Sequence, residues 1–196
     1  MKKPAVLPGI RMITVSGRIA SGSTTLARNL AEELHWKHLE GGDIFWEKVR
    51  SKLNLEAKDT DKRPDDEDKI FDEELKKILK IDQNLVLETK LAGFNAQGTP
   101  GVFKVLVICE DGKGQDHVDI RIDRLLYREG VNIENAKQEV LEREKNDLEK
   151  WRRMYARNDP SWAYYDPKYY DLVVNTYSHN ATESLKLVLE KIGLKT

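Results

Sequence analysis

Residues 13–34, ITVSGRIASGSTTLARNLAEEL, constrain the fold of this chain more than any other stretch. A short apolar run meets two glycines separated by four residues, Gly17 and Gly22. A helical pattern follows at once, with Leu26, Ala27, Leu30, Ala31 and Leu34 on one face. A loop between a strand and a helix aims several backbone N–H groups at one point, and the helix start adds partial positive charge there. Glycines let that backbone approach a ligand without an intervening Cβ. The spacing is that of the phosphate-binding pattern G-x-x-x-x-G-K-[ST], with Ser23 in the lysine position and Thr24 in the position of the metal-binding hydroxyl. Gly17, Ser21, Gly22, Ser23, Thr24 and Thr25 are therefore the expected ATP-binding residues.

The missing lysine has an energetic consequence. Phosphoryl transfer is catalysed mostly by positioning and by compensating the charge on the phosphates. One cation fewer near the β- and γ-phosphates costs on the order of 3 kcal/mol of transition-state stabilisation, so other cations must take its place. Arg121, Arg124 and Arg128 are spaced i, i+3 and i+7, on one helical face, and Arg143, Arg152 and Arg153 follow. Two or three of these six arginines are expected at phosphate. Asp119, Asp123, Glu142 and Glu144 lie among them, and the remaining arginines are expected to form surface pairs worth little.

The rest of the chain repeats the opening alternation. After a strand at Met12–Val15, short apolar runs recur at 37–40 (KHLE), 84–88 (NLVLE), 102–109 (VFKVLVIC) and 171–176 (DLVVNT). A final helix begins near Asn180, carries Leu185, Leu187, Val188, Leu189 and Ile192, and stops at Gly193. This order predicts a three-layer α/β fold, a five-stranded parallel sheet with helices on both faces. Ligands of such sheets bind at the carboxyl ends of the strands, where the motifs fall. Two charged segments interrupt the alternation. Residues 46–81 contain EAKDTDKRPDDEDK, and residues 119–159 form a long helical excursion. A substrate-binding insertion of about 46–81 and a lid of about 121–160 are expected, around a core of about 10–45, 82–120 and 168–196 in a single domain. The plainer alternative is two solvated helical insertions.

Composition narrows the partners. A formal net charge of −1 leaves no basic excess for a broad nucleic-acid surface. No apolar run approaches the about 18–20 residues that span a membrane. The start, MKKPAVLPGI, is too short for a signal-peptide core. The single cysteine, Cys109, falls in an apolar strand and is expected to pack there, in a reducing compartment, by default the cytoplasm. A monomer is expected. His35, His38, His117 and His179 have no metal-ligand spacing, and Asp116 and His117 carry no assigned chemistry. The aromatic run WAYYDPKYY (162–170) is expected to pack where the excursion rejoins the core.

With the loop, LETKLAGF (87–94), Arg124 to Glu129, EREKNDLEKWRRMY (142–155) and YYDLVVNT (169–176) in hand, the sequence resembles the archaeal-type cytidylate kinases over about Ile13 to Ile192. The resemblance implies a P-loop kinase fold with a nucleoside-monophosphate insertion and a lid. It implies phosphoryl transfer from ATP to CMP or dCMP, with Mg²⁺ bound by Thr24 and, through water, by Glu88. It places Lys90, Arg128, Arg143 and Arg152 in catalysis, and Asp43, Phe45, Trp46, Lys90 and Gly93 at the acceptor. A hydroxyl residue in the lysine position is common in that family. Two departures stand out: Trp46 and Lys90 replace arginines of the family's acceptor-phosphate motifs. Lysine keeps the charge but gives up the bidentate fork, and tryptophan keeps neither. Two alternatives remain open: a kinase of a hydroxyl acceptor, with Asp43 or Glu88 as base, and a nucleotide-binding regulatory module without transferase activity.

Overall fold

The computed structural model describes residues 3–41, 64–127 and 131–194. Within it the apolar runs become five strands: β1 (Met12–Gly17), β2 (Lys37–Glu40), β3 (Leu85–Glu88), β4 (Val102–Ile108) and β5 (Leu172–Asn175). Each lies within two residues of its sequence-based span. All pair in parallel, in the order β2-β3-β1-β4-β5. The central strand β1 is buried along its whole length, which is why its sequence is continuously apolar or small rather than alternating.

Two helical layers cover the sheet. On one face α1 (Ser23–Leu34) brings Leu26, Leu30 and Leu34, and α7 (Ala181–Lys191) brings Val188 and Leu189, onto Ile13, Val15, Val86, Val105 and Val174. Each fully buried leucine or valine contributes about 1.5–3 kcal/mol of transfer free energy. On the other face α2 (Asp65–Ile81) and α3 (Ala92–Asn95) set Leu75, Leu79 and Ala92 against Met12, Leu85 and Leu87. Of the segment of about 46–81, expected to be a substrate-binding insertion, residues 64–81 are described. Its C-terminal part is core, because Leu75 and Leu79 stand one helical turn apart and bury together; its first part lies outside the described residues. Asn180 starts α7 with a capping box: its side chain accepts from Glu183 N at 3.0 Å and its own N–H donates to Glu183 Oε2 at 2.8 Å.

After β4 the chain forms α4 (Val118–Leu126), then α5 (Ile133–Lys137), which runs through a π-helical stretch (Gln138–Arg143) into α6 (Glu144–Tyr155). Neither a solvated excursion nor a surface of weak ion pairs describes this segment. The inward face of α6 buries Glu144, Asp147, Lys150 and Trp151. Three charged groups enter the interior because opposite charges meet them there: Arg18 and Arg121 at Glu144, Lys90 at Asp147, and Asp68 at Lys150. The aromatic run packs as expected. Phe94 meets Trp162 edge-on at 5.3 Å between centroids, and Trp151 meets Tyr164 at 5.1 Å. Cys109 is buried, and no helix of the described residues is long and apolar enough to cross a membrane.

Candidate active site

The carboxyl ends of β1, β2 and β3 open into one cleft of about 320 Å³, lined from the loop by Gly17 to Ala20, Ser23 and Thr24. Gly17 is required by space: a Cβ there would lie 2.4 Å from Ser21 Oγ and 3.0 Å from Val107 O. Gly22 is required by backbone, at φ 105°. Ala20 also takes a left-handed conformation, at φ 58°. Ser21 is fully buried and holds the loop from beneath, its carbonyl accepting from Thr176 Oγ1 at 2.6 Å and Arg124 at 3.1 Å. Thr25 faces a second cavity of about 350 Å³, shared with Arg124, Thr176, His179 and Ser184.

Glu88 ends β3 beside the helix start. Its Oε1 accepts from Thr24 Oγ1 at 2.7 Å and from Ser23 Oγ at 3.0 Å, and its Oε2 lies 3.4 Å from His38 Nε2. Burial pushes the Glu88 carboxyl above its ordinary range, against the pull of the two hydroxyls. Ser23 thus does not fill the lysine position with charge; it spends its hydroxyl on the carboxylate.

The loop is lashed to the charged excursion. Arg18 pairs with Glu144 and, at 3.2 Å, with Asp116; Arg121 pairs with the same two carboxylates at 2.8 and 2.7 Å. Glu144 Oε2 also accepts from Ile19 N at 3.1 Å, and Arg18 stacks 4.7 Å above the Tyr165 ring. Burial raises the Glu144 pKa, but the two arginines outweigh it and hold the group below the ordinary carboxylate range.

The arginines divide by burial. Arg121, one of the six arginines considered for phosphate, is fully buried between Asp116 and Glu144. Arg124 donates to Ser21 O, Thr176 Oγ1 and Thr176 O. Arg152 donates to Trp162 O at 2.9 Å, away from the cleft lining, and Arg153 pairs with Asp65 at the surface. Of the lid arginines among the described residues, Arg143 alone lines the cleft. It donates to Glu139 at 2.6 Å, lies 4.0 Å from Asp147, and its Nε has no hydrogen-bond partner among those residues. Lys90 also lines the cleft and pairs with Asp147; burial lowers its pKa, and Asp147 opposes that shift. Asp43, Phe45, Trp46 and Arg128 lie outside the described residues. Gly93 sits under Tyr170, where a Cβ would come 2.2 Å from the ring, so its smallness serves packing.

Sequence reasoning missed Arg18, Asp116 and Asp72. Arg18 stood in a variable position of the loop pattern. Asp116 stood in a glycine-rich turn, and only its pairing with Arg18 and Arg121 reveals its use.

Comparison with known proteins agrees with this geometry. The sequence profile of the AAA domain family matches residues 16–154. A cytidylate kinase of Haloarcula marismortui is 32% identical over 183 residues, covering 92% of this chain and 88% of that one. A cytidylate kinase of Methanopyrus kandleri is 30% identical over 190 residues, covering 90% of each. Among solved structures, a shikimate kinase from Bacteroides thetaiotaomicron superposes with a TM-score of 0.61 at 13% identity, over 94% of this chain and 99% of that one. A gluconokinase from Sinorhizobium meliloti gives 0.55 at 14%, over 95% and 92%. These distant neighbours share the fold. A phosphate loop at the head of a 2-3-1-4-5 parallel sheet, a family profile across most of the chain and relatives at 30% identity or above converge: the chain belongs to the AAA domain family and to the archaeal-type cytidylate kinases.

Proposed function

We propose that this protein is an ATP-dependent nucleoside monophosphate kinase that transfers the γ-phosphoryl group to CMP or dCMP. The observation that carries the reading is the single cleft in which the phosphate loop, Glu88, Lys90 and Arg143 meet. The triphosphate lies along Gly17–Thr25, with the adenine toward the second cavity beside Arg124 and Thr176. The acceptor phosphate lies near Lys90. One of its oxygens attacks the γ-phosphorus, the bond from that phosphorus to the β–γ bridging oxygen breaks, and ADP leaves. A phosphate monoester is already anionic near neutral pH, so no general base is needed.

The residues present suit Mg²⁺. Thr24 and Ser23 hydroxyls converge on one carboxylate oxygen of Glu88, and its second oxygen has no hydrogen-bond partner among the described residues. These are hard oxygen donors, and one carboxylate plus substrate phosphates is the usual Mg²⁺ arrangement. Thr24 and Glu88 would hold the ion, and when bound it neutralises phosphate charge. Arg143, whose Nε makes no hydrogen bond among the described residues, compensates the charge that develops on the transferring group. The work of the absent lysine falls to Arg143 and Lys90, whose carboxylate partners hold them at the cleft. Arg152 acts from behind, fixing the aromatic seam through Trp162.

The test is ADP release from purified protein with ATP, Mg²⁺ and a panel of CMP, dCMP, UMP, AMP, GMP and no acceptor. Stimulation by CMP or dCMP well above the others is the expected result. ATP binding without stimulation by any nucleotide would refute the reading.

A further inference from the structure

One carboxylate in the cleft takes no part in phosphate chemistry. Asp72, on α2, is 3% exposed and lines the cleft. Among the described residues two neutral groups hydrogen-bond it: Asn95 Nδ2 donates to Oδ1 at 2.9 Å, and the Tyr155 hydroxyl donates to Oδ2. An ionised carboxylate offers about four acceptor positions, and the described residues fill about half of them. Burial pushes the Asp72 carboxyl above its ordinary range, as expected of an anion short of donors. Packing alone does not call for a carboxylate here, because an apolar side chain fills buried space at less cost.

The surroundings sharpen the point. Asp147, also buried and also in the lining, has an Oδ1 with no hydrogen-bond partner among the described residues. Phe71 adds aromatic surface to the same lining. Asp147 is otherwise claimed by Lys90, whereas beside Asp72 the described donors, Asn95 and Tyr155, are already spent, which leaves acceptor positions at Asp72 to fill. This arrangement rewards an N–H group and opposes a carbonyl in the same place. A carboxylate accepting from an exocyclic amine is a standard way to read cytosine, whereas uracil puts a carbonyl oxygen at that position.

We propose that Asp72 is a specificity-determining residue that reads the acceptor base, accepting a hydrogen bond from the exocyclic amine of an aminopyrimidine. The inference rests on the nucleoside monophosphate kinase reading above. Asn95 and Tyr155 are positioning residues that act through Asp72, one from α3 and one from α6, so the base site completes itself where core and lid meet.

The experiment compares wild type with Asp72→Asn, measuring kcat/KM for CMP, UMP and AMP and KM for ATP. The amide keeps an acceptor for Tyr155 but offers N–H where the carboxylate offered none. The expected result is a fall of the CMP-to-UMP ratio by tenfold or more, with KM for ATP within about twofold of wild type. A second measurement uses wild type alone: CMP against its 4-deamino analogue, expected to differ by tenfold or more, and the difference shrinks in Asp72→Asn if that variant folds. An equal loss for CMP and UMP, or a wild type indifferent to the 4-amino group, overturns the assignment and leaves Asp72 a packing tie between α2, α3 and α6. A wild type that prefers UMP or AMP overturns it while leaving the kinase reading intact. A wild type that phosphorylates no nucleotide overturns both.

Discussion

Replacing Glu144 by glutamine tests the junction between loop and lid. Four charges meet there, two arginines and two carboxylates, and they sum to zero. Arg121 is fully buried and Glu144 is 5% exposed, so the variant leaves one uncompensated positive charge in the interior. Removing one partner of a buried pair costs about 3–5 kcal/mol. Glutamine retains one acceptor oxygen for Arg121 or Ile19 N, which places the expected loss at the low end, about 3 kcal/mol. For a chain of this length each kcal/mol lowers Tm by about 2–4 °C, so the variant should melt about 6–12 °C below wild type at pH 7. The pH dependence carries its own sign. Burial raises the Glu144 pKa but Arg18 and Arg121 depress it further, so the folded value lies below the ordinary 4.5. Its contribution is therefore complete above that ordinary value and is lost as pH falls through the folded one. Chemical unfolding followed by circular dichroism, in steps from pH 7 downward, should show the two proteins converging in acid. Adding Arg121→Gln to the variant restores neutrality and should cost less than the two single losses together. A Tm change under about 2 °C at pH 7, or a gap undiminished in acid, would refute the argument.

Two further predictions concern the cleft and its support. Thr24→Ala should raise the Mg²⁺ concentration for half-maximal rate at least about tenfold, while Ser23→Ala should change it less than about threefold, because Thr24 stands in the motif's metal position; equal effects in a Mg²⁺ titration would contradict the roles given to the two hydroxyls. Gly93→Ala drives a methyl to 2.2 Å from Tyr170, so the ring must move and its hydroxyl must leave Tyr164 O. A loss of about 1–3 kcal/mol in urea unfolding is expected, and an unchanged midpoint would show that the ring moves freely.

The sheet and its two covering layers were legible because period and composition carry them. Met12–Gly17 is apolar or small throughout, and α1 repeats its apolar residues at helical spacing. The loop was legible because Gly17 and Gly22 each answer a physical demand, one for space and one for a left-handed backbone. What escaped was the polar interior. Glu144, Asp147 and Lys150 look like a solvated helix face in one dimension, and nothing local distinguishes them from Lys145 or Glu149, which do pair in solvent. Their partners, Arg18, Lys90 and Asp68, come from elements 57 to 126 residues away in the chain for the first two, and from α2 for the third. Periodicity reports burial only where burial means apolar. Which of the arginines face the cleft was hidden for the same reason: a helical face identifies Arg121 and Arg124 as neighbours but not which carboxylate or carbonyl claims each.

The π-helical stretch at Gln138–Arg143 has a consequence for how such chains diverge. A π turn holds one residue more than an α turn, so it sets the phase of everything after it by about 100°. Glu144, Asp147 and Trp151 share their inward face only in that phase. A one-residue deletion upstream would swing Glu144 from Arg18 and Asp147 from Lys90 in a single step, although composition and helix propensity would hardly change. In this part of the chain, length matters beside identity: a chain that keeps Glu139 and Arg143 but loses one residue between them and Glu144's partners would misplace the whole inward face of α6.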